Sequence, residues 1–302
     1  MSTADRVTHE TVSCAVCGGS APKPFLRKFD LWISRCERCG FLFSNPRLNR
    51  EDIWKRYSAA YFRDEYLPAL GVRNGQYDLA FFDRRYEPML RLISREVFVA
   101  DHLLEIGAGA GFFGKAAERA GWRVSGIEVS PEAVAFARER LGLDVRSEAA
   151  EQMSFPPASF DAAVMFDVIE HLLDPRRALE AVRDVLRPGG LLVVTTPNIH
   201  ALSRLGLGRQ WAVLSPAEHL SYFSEATLRP LLERTGFRRV RFERRYAGFG
   251  VYETMNPNYT HAPDRWRARL YRVFVKTAGR LVYRWVQALG KGDTLLCLAR
   301  KP

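Results

Sequence analysis

The hydrophobic pattern of the chain changes period near residue 98. Before it, FLFSNPRLNREDIWKRYSAAYF, which starts at Phe41, opens on an Asn45-Pro46 turn and continues with helical spacing. A second helical stretch is predicted from Tyr77 to Val97, with Phe81, Tyr86, Met89, Leu90 and Ile93 mostly on one face. Beyond residue 98, short apolar runs alternate with helical ones. HLLEIGAG reads as a strand ending in glycines, and FFGKAAERAG as a helix closed by Gly121. WRVSGIEV is the next strand, SPEAVAFARERLG a helix, and Asp144–Arg146 a weak strand. FDAAVMFD is a strand, a helix follows around Pro175–Leu186, and RPGG leads into the strand LLVVTTPN. Strands alternating with helices predict an α/β, doubly wound, mainly parallel sheet.

The remainder is less regular. SEATLRPLLERTGF reads as a helix ended by Gly236, RRVRFERRY as a strand and GDTLLCLARKP as a final strand, with an insertion over 247–290 between them. Within that insertion Arg265–Leu289 has the spacing of one long helix. Trp266, Leu270, Val273, Phe274, Leu281, Trp285 and Leu289 form an apolar stripe. Arg265, Arg269, Arg272, Lys276, Arg280 and Arg284 form a basic stripe one residue out of phase. The organisation expected is a small module over 1–45, a helical cap or linker over 46–97, and the α/β domain over 98–302.

Composition adds position rather than class. An apolar fraction of 47% in 302 residues suits a soluble protein with a real core. The polar start MSTADRVTHE lacks the apolar run of a signal peptide, and no run of about 18 apolar residues occurs, so the expectation is cytoplasmic. The net charge of +11 falls entirely within residues 238–302, which hold fifteen Lys/Arg against four Asp/Glu. Such a patch attracts phosphorylated substrates, nucleic acid or an anionic membrane surface, or is a solvated helix face.

Four of the five cysteines lie in the first 40 residues, Cys14 and Cys17 in CAVCG, Cys36 and Cys39 in CERCG. The spacing C-x2-C-x18-C-x2-C suits a tetrahedral zinc ribbon, and a segment this short needs a staple. Four thiolates leave no open position, so this zinc would be structural. Cys297 stands alone in an apolar strand and is expected in the core.

GAGAGFFG, residues 107–114, can be parsed as G-x-G-x-x-G from Gly109 or as G-x-G-x-G from Gly107. The first parse starts two residues late for a dinucleotide loop. The second places Glu105 at the strand end, where a carboxylate repels a pyrophosphate and favours a cation. S-adenosylmethionine offers a sulfonium and an ammonium and no phosphate. An acidic residue at the next strand end, Glu128, suits ribose hydroxyls in either case.

These segments, with SFDAAVMFDVIEHLLDP and LRPGGLLVVTTPN, resemble the class I S-adenosylmethionine-dependent methyltransferases over roughly residues 100–302. The resemblance implies that Glu105, Gly107, Gly109 and Gly111 line the methionine end, that Glu128 holds the ribose, that Ala150 and Glu151 lie at the adenine and that Asp167 faces the ammonium. Ala149 stands where that segment often has Asp, leaving a backbone amide for the adenine. The Cys knuckles followed by CGFLFSNPR are similar to bacterial enzymes that modify sugars, glycolipids or antibiotic precursors.

Methyl transfer needs an aligned acceptor and often a base. In D-V-I-E-H, Asp167, Glu170 and His171 share a face if a helix starts near Asp167, which makes His171 the first candidate base. The same three residues are similar to the E-x-x-E-H metal site of ubiquinone-biosynthesis O-methyltransferases, so a second divalent ion is an alternative. A third is that Glu170 and His171 only bond each other and the backbone. His219 in PAEHLSYFS is the second candidate base. Trp211, Tyr222 and Phe223 read either as a wall for a substrate ring or as core. The function expected is methylation of a hydroxyl on a sugar-containing, antibiotic-type or lipid-linked small molecule, with the basic helix touching an anionic head group or the inner membrane face. Two alternatives are a ribosomal-RNA methyltransferase and a non-catalytic cofactor-binding subunit. Against RNA, the first 237 residues carry no charge excess and no N-P-P-Y-type motif occurs.

Overall fold

The computed structural model describes residues 9–97, 101–244, 262 and 264–302. Most of the first half of the 247–290 insertion and the end of RRVRFERRY lie outside the described residues. The strands in chain order are β1 His9–Glu10, β2 Pro22–Lys28, β3 Leu31–Cys36, β4 Leu42–Ser44, β5 Arg47–Leu48, β6 His102–Ile106 and β7 Arg123–Glu128. They continue as β8 Asp144–Ser147, β9 Phe160–Phe166, β10 Leu186–Pro197, β11 Ser221–Tyr222, β12 Arg238–Phe242 and β13 Thr294–Arg300.

Seven of them form one sheet in the order β12-β13-β10-β9-β6-β7-β8. From β10 to β8 the neighbours are parallel, and β13 runs antiparallel to both β10 and β12. The central strands are apolar on both faces because helices cover both; Leu103, Leu104, Ala162, Val164 and Val193 are fully buried. Strand order reverses between β6 and β9, which leaves a crevice at their C-terminal ends.

The helices begin and end where the sequence caps them. Ser130 and Asp174 each accept a backbone N–H in the first turn of Pro131–Leu141 and Pro175–Val185, both with Pro at the first position. The stretch predicted from Tyr77 is the helix Leu79–Glu96, capped by Asp78. It buries Phe82, Met89, Leu90 and Ile93, whereas Phe81 is 45% exposed. The inward aromatic is therefore Phe82, which stacks on Phe112 with ring centroids 3.9 Å apart. Cys297 is buried in β13, as its apolar surroundings imply.

The N-terminal segment is not a separate packing unit. β2, β3 and β4 form an antiparallel sheet that takes β11 as its fourth strand, with Ser221 opposite Phe43 and Tyr222 opposite Leu42. Cys14, Cys17, Cys36, Phe41 and Phe43 share one core with Met165, Val194 and Phe223 of the α/β domain.

The predicted long helix runs without a break from Trp266 to Ala288, α-helical over Trp266–Phe274 and Arg280–Ala288 and more widely wound over Val275–Gly279 between them. Ala268, Tyr271, Val275 and Val286 face inward onto Ile199, Leu207 and Trp211. The stripe named above faces out. Among the described residues no helix is long and apolar enough to cross a membrane.

Candidate functional site

The crevice holds a cavity of about 530 Å³, lined from the ends of β6, β7, β9 and β10 and from the segment 53–86. Ordinary drug-sized ligands occupy cavities of this size. β6 ends at Glu105-Ile106, and the chain then turns through Gly107 (φ +70°) and Gly109 (φ +53°), both on the cavity wall. A side chain at Gly109 would overlap the Tyr66 hydroxyl, so the loop is glycine for close approach as well as for its left-handed backbone. Gly111 is different. It does not line the cavity, and a Cβ there would meet Leu143 Cδ1 at 2.6 Å, so its role is to pack the helix Phe112–Arg119 onto its neighbours.

Glu105 is 6% exposed and accepts the backbone N–H of Gly114 in that helix. Burial, with the nearby Glu128 adding to it, pushes its carboxyl up to about 8. Glu128 ends β7 and accepts the backbone N–H groups of Gly109 (2.9 Å), Val129 (2.7 Å) and Ser130 (2.9 Å). These fix the carboxylate beside the loop, while burial raises its pKa. Ala150 and Glu151 also line the cavity, in a short turn after β8. The Glu151 carboxylate is turned to the Asp174 N–H at 3.1 Å, which leaves the backbone of this turn to face a ligand.

Asp167 opens onto the cavity at the end of β9 but does not start a helix. Its φ is +54°, its N–H and carboxylate both bond Thr195 Oγ1 at 3.1 Å, and only Ile169–His171 forms a single turn. Burial raises its pKa, while the Thr195 bond and the Arg85 charge lower it. Glu170 does not line the cavity. It is buried, accepts from Thr196 Oγ1 at 2.9 Å and leaves Oε1 without a partner. Burial and the Asp167 charge hold it well above the usual carboxylate range.

The two histidines meet. His171 and His219 line the cavity with ring centroids 4.7 Å apart. His171 Nδ1 donates to the Glu218 carbonyl at 2.9 Å and His219 Nδ1 to the Val213 carbonyl at 2.7 Å. A carbonyl only accepts, so each ring carries its proton on Nδ1 and keeps Nε2 as a basic nitrogen. Burial and the neighbouring His219 push His171 down to about 3, and burial lowers His219. Glu170, His171 and His219 bring one ligand atom each to within 4.8 Å of one another. The acid–imidazole cluster therefore contains His219 where the sequence pattern suggested Asp167. Trp211, Tyr222 and Phe223 are core residues and do not line the cavity.

The sequence pattern missed the residues that the helical segment contributes. Tyr57, Tyr61, Phe62, Tyr66 and Arg85 all line the cavity. An ion pair between Arg56 and Glu218 ties that segment to the His219 loop. Six carboxylates, Glu105, Glu128, Glu148, Glu151, Asp167 and Glu218, face two guanidiniums, Arg56 and Arg85. A polyanionic ligand is disfavoured here and a cationic one favoured.

A family model described as a methyltransferase domain matches residues 77–241, which span the glycine loop, both histidines, five whole strands of the seven and all but the last residue of β12. The chain belongs to that family. This methyltransferase domain is similar to a Mycolicibacterium smegmatis protein named a probable S-adenosylmethionine-dependent methyltransferase, with 33% identity over 174 residues, 57% of this chain and 65% of the relative. It is also similar to a ubiquinone biosynthesis O-methyltransferase of Cereibacter sphaeroides, 38% identical over 32% of this chain and 41% of the relative. The chain thus spans less than two thirds of either curated relative. Among solved structures, a SAM-dependent methyltransferase from Archaeoglobus fulgidus shares the fold, with TM-score 0.54 and 20% identity over 79% of this chain and 100% of that one.

The chain carries its four N-terminal thiols as free cysteines with ligand atoms within 4.8 Å of one another. Cys14 and Cys39 sulfurs are 3.5 Å apart, as are those of Cys17 and Cys36. Zinc–sulfur bonds of about 2.3 Å put tetrahedral sulfurs about 3.8 Å apart, so the set fits zinc and is too wide for disulfides. Arg176 holds the first knuckle by the Ala15 and Val16 carbonyls, at 3.0 and 3.3 Å.

Proposed function

We propose that the protein transfers the methyl group of S-adenosylmethionine to a hydroxyl of a small acceptor of the sugar-containing, antibiotic-type or lipid-linked kind. The observation that carries this reading is the His171–His219 pair, two neutral imidazoles set in one cavity with the glycine loop and its acidic wall. Glu105 and Asp167 would face the cationic end of the cofactor, Glu128 the ribose, and the Ala150–Glu151 backbone the adenine. The bound cofactor supplies an electrophilic methyl on a positively charged sulfur. The chain's own part is to orient the acceptor under the aromatic wall of Tyr57, Tyr61 and Phe62, to exclude water, and to take the hydroxyl proton on an imidazole Nε2.

An acceptor panel with methyl-labelled cofactor tests this. His171→Ala and His219→Ala should each lower kcat by about 10² to 10⁴ with cofactor affinity unchanged. Full turnover in both would remove the imidazoles from the reaction.

A second reading has its own observation, the orphaned Glu170 Oε1 beside the two imidazoles. Two nitrogens and one carboxylate suit zinc or manganese better than magnesium. Glu170, His171 and His219 would hold such an ion, which would supply Lewis-acid activation of the acceptor oxygen. Two bound metals per chain, reduced to one by His219→Ala, favour this reading; one in both proteins sinks it.

A further inference from the structure

We propose that the helices Trp266–Phe274 and Arg280–Ala288 are a docking surface for an anionic lipid bilayer. A helix on a soluble body turns its apolar side chains inward, and this pair does so with only part of its set. Ala268, Tyr271, Val275 and Val286 seat it on the protein. Trp266, Leu270, Val273, Leu281, Trp285 and Leu289 are 57–81% exposed. Leu205, 59% exposed, adjoins them, because Arg267 donates to the Leu205 and Gly206 carbonyls. Single exposed apolar residues are ordinary, but a contiguous set of this size marks an interaction site.

Charge selects the occupant. Between Arg265 and Lys291 the sequence has eight Lys/Arg and no Asp/Glu. Arg265, Arg267, Arg269, Lys276 and Arg284 are exposed alongside the apolar stripe. A second copy placed face to face would set cations against cations. Nucleic acid would match the charge but leave two indoles and several aliphatic side chains against phosphate and water. An anionic bilayer satisfies both sets at once. Guanidinium and ammonium heads reach the phosphates, indoles sit at head-group level, and aliphatic side chains enter the acyl boundary. The helices pack on Leu207 and Trp211, in the segment that leads to His219. The proposal does not depend on which acceptor is used.

The test is co-sedimentation of the full chain with phosphatidylcholine vesicles, with and without phosphatidylglycerol. The wild type should bind the phosphatidylglycerol vesicles at least about tenfold more tightly, less so at high salt. Leu281→Asp/Trp285→Asp should weaken that binding about tenfold or more, and Lys276→Glu/Arg284→Glu should abolish the preference for phosphatidylglycerol. All these residues are exposed, so melting temperature should not move, and quenching of Trp285 by brominated lipid gives a second readout. The proposal is overturned if the wild type stays in the supernatant, or if the variants sediment equally. A dimer lost in Leu281→Asp/Trp285→Asp without vesicle binding, or RNA capture requiring the same residues, would also overturn it by assigning the face to another occupant.

Discussion

Replacing Glu105 by Gln keeps the shape of the strand end and removes its charge. In the ligand-free protein burial holds this carboxyl at about 8, so at pH 7 only about a tenth of it is ionised. A cationic ligand needs it ionised. Each pH unit below 8 therefore costs wild-type binding about 1.4 kcal/mol, or tenfold in Kd, and at pH 6 the cost reaches about 2.7 kcal/mol. The charge-assisted contact regained on binding is worth about 1.5–3 kcal/mol. S-adenosylmethionine affinity should therefore tighten about tenfold per unit from pH 6 to 7.5 in the wild type and stay flat in the Gln variant. The two curves should converge near pH 6 and separate by up to roughly thirtyfold at pH 7.5. Titration calorimetry reads both. Stability moves the other way. The folded protein keeps a proton that the unfolded chain releases above about 4.5, so the ligand-free wild type loses stability as pH rises from there to about 8. The integrated loss is at most about 5 kcal/mol, and the Gln variant lacks this slope. If the wild-type affinity is flat over this range and parallel to the variant, Glu105 only caps the helix through Gly114 and the cation-selecting role is wrong.

Because His171 is held near 3 and burial lowers His219, kcat should show no acid limb at the ordinary imidazole value of about 6.5, while kcat/KM for the cofactor should fall below pH 8 through Glu105. A limb near pH 6.5 in kcat would contradict the enclosed geometry of the pair. Cys36→Ser, or removal of metal by a chelator, should lower the melting temperature of the whole protein in one transition, because the cysteines share a core with the α/β domain. Two separate transitions in calorimetry would show a ribbon that folds alone. Phe82→Ala should cost about 3–5 kcal/mol in denaturant unfolding and Phe81→Ala under about 1, reversing the ranking that the helical wheel suggested.

The parallel sheet was legible because the central strands hold short apolar runs and the helices Pro131–Leu141 and Pro175–Val185 carry their own caps. Both signals are local. Glu105, Gly107, Gly109 and Glu128 fall together for the same reason, since strand ends in a doubly wound sheet meet at one edge. Gly111 was assigned to that edge by the family resemblance, whereas in the structure it lies off the cavity wall, where a Cβ would meet Leu143. Asp167 and Glu170 were placed on one helical face. Thr195, one strand away, instead captures the Asp167 backbone and carboxylate, and only Ile169–His171 follows as a single turn. Tyr66 and Arg85 reach the site from a segment far away in sequence, and β11 is two residues long. No periodicity can announce contacts of those kinds.

The missing information has one location. The sheet supplies the half of the cavity that suits the cofactor, and every added segment converges on the loop that holds His219. Ser44 of the ribbon donates to the Pro216 carbonyl at 2.9 Å and the His219 carbonyl at 3.2 Å, and its N–H bonds the Leu220 carbonyl. Lys28 Nζ reaches the Trp211 carbonyl at 2.9 Å, Arg56 pairs with Glu218, and the exposed helix pair packs on Trp211. A hairpin built around four clustered thiols, a helical segment and an amphipathic insertion thus fix one short loop from three sides. If that loop supplies the second imidazole as proposed, the acceptor would be selected by the parts of the chain that the common methyltransferase pattern does not cover. That is why the resemblance over roughly residues 100–302 points to a family while leaving the acceptor open.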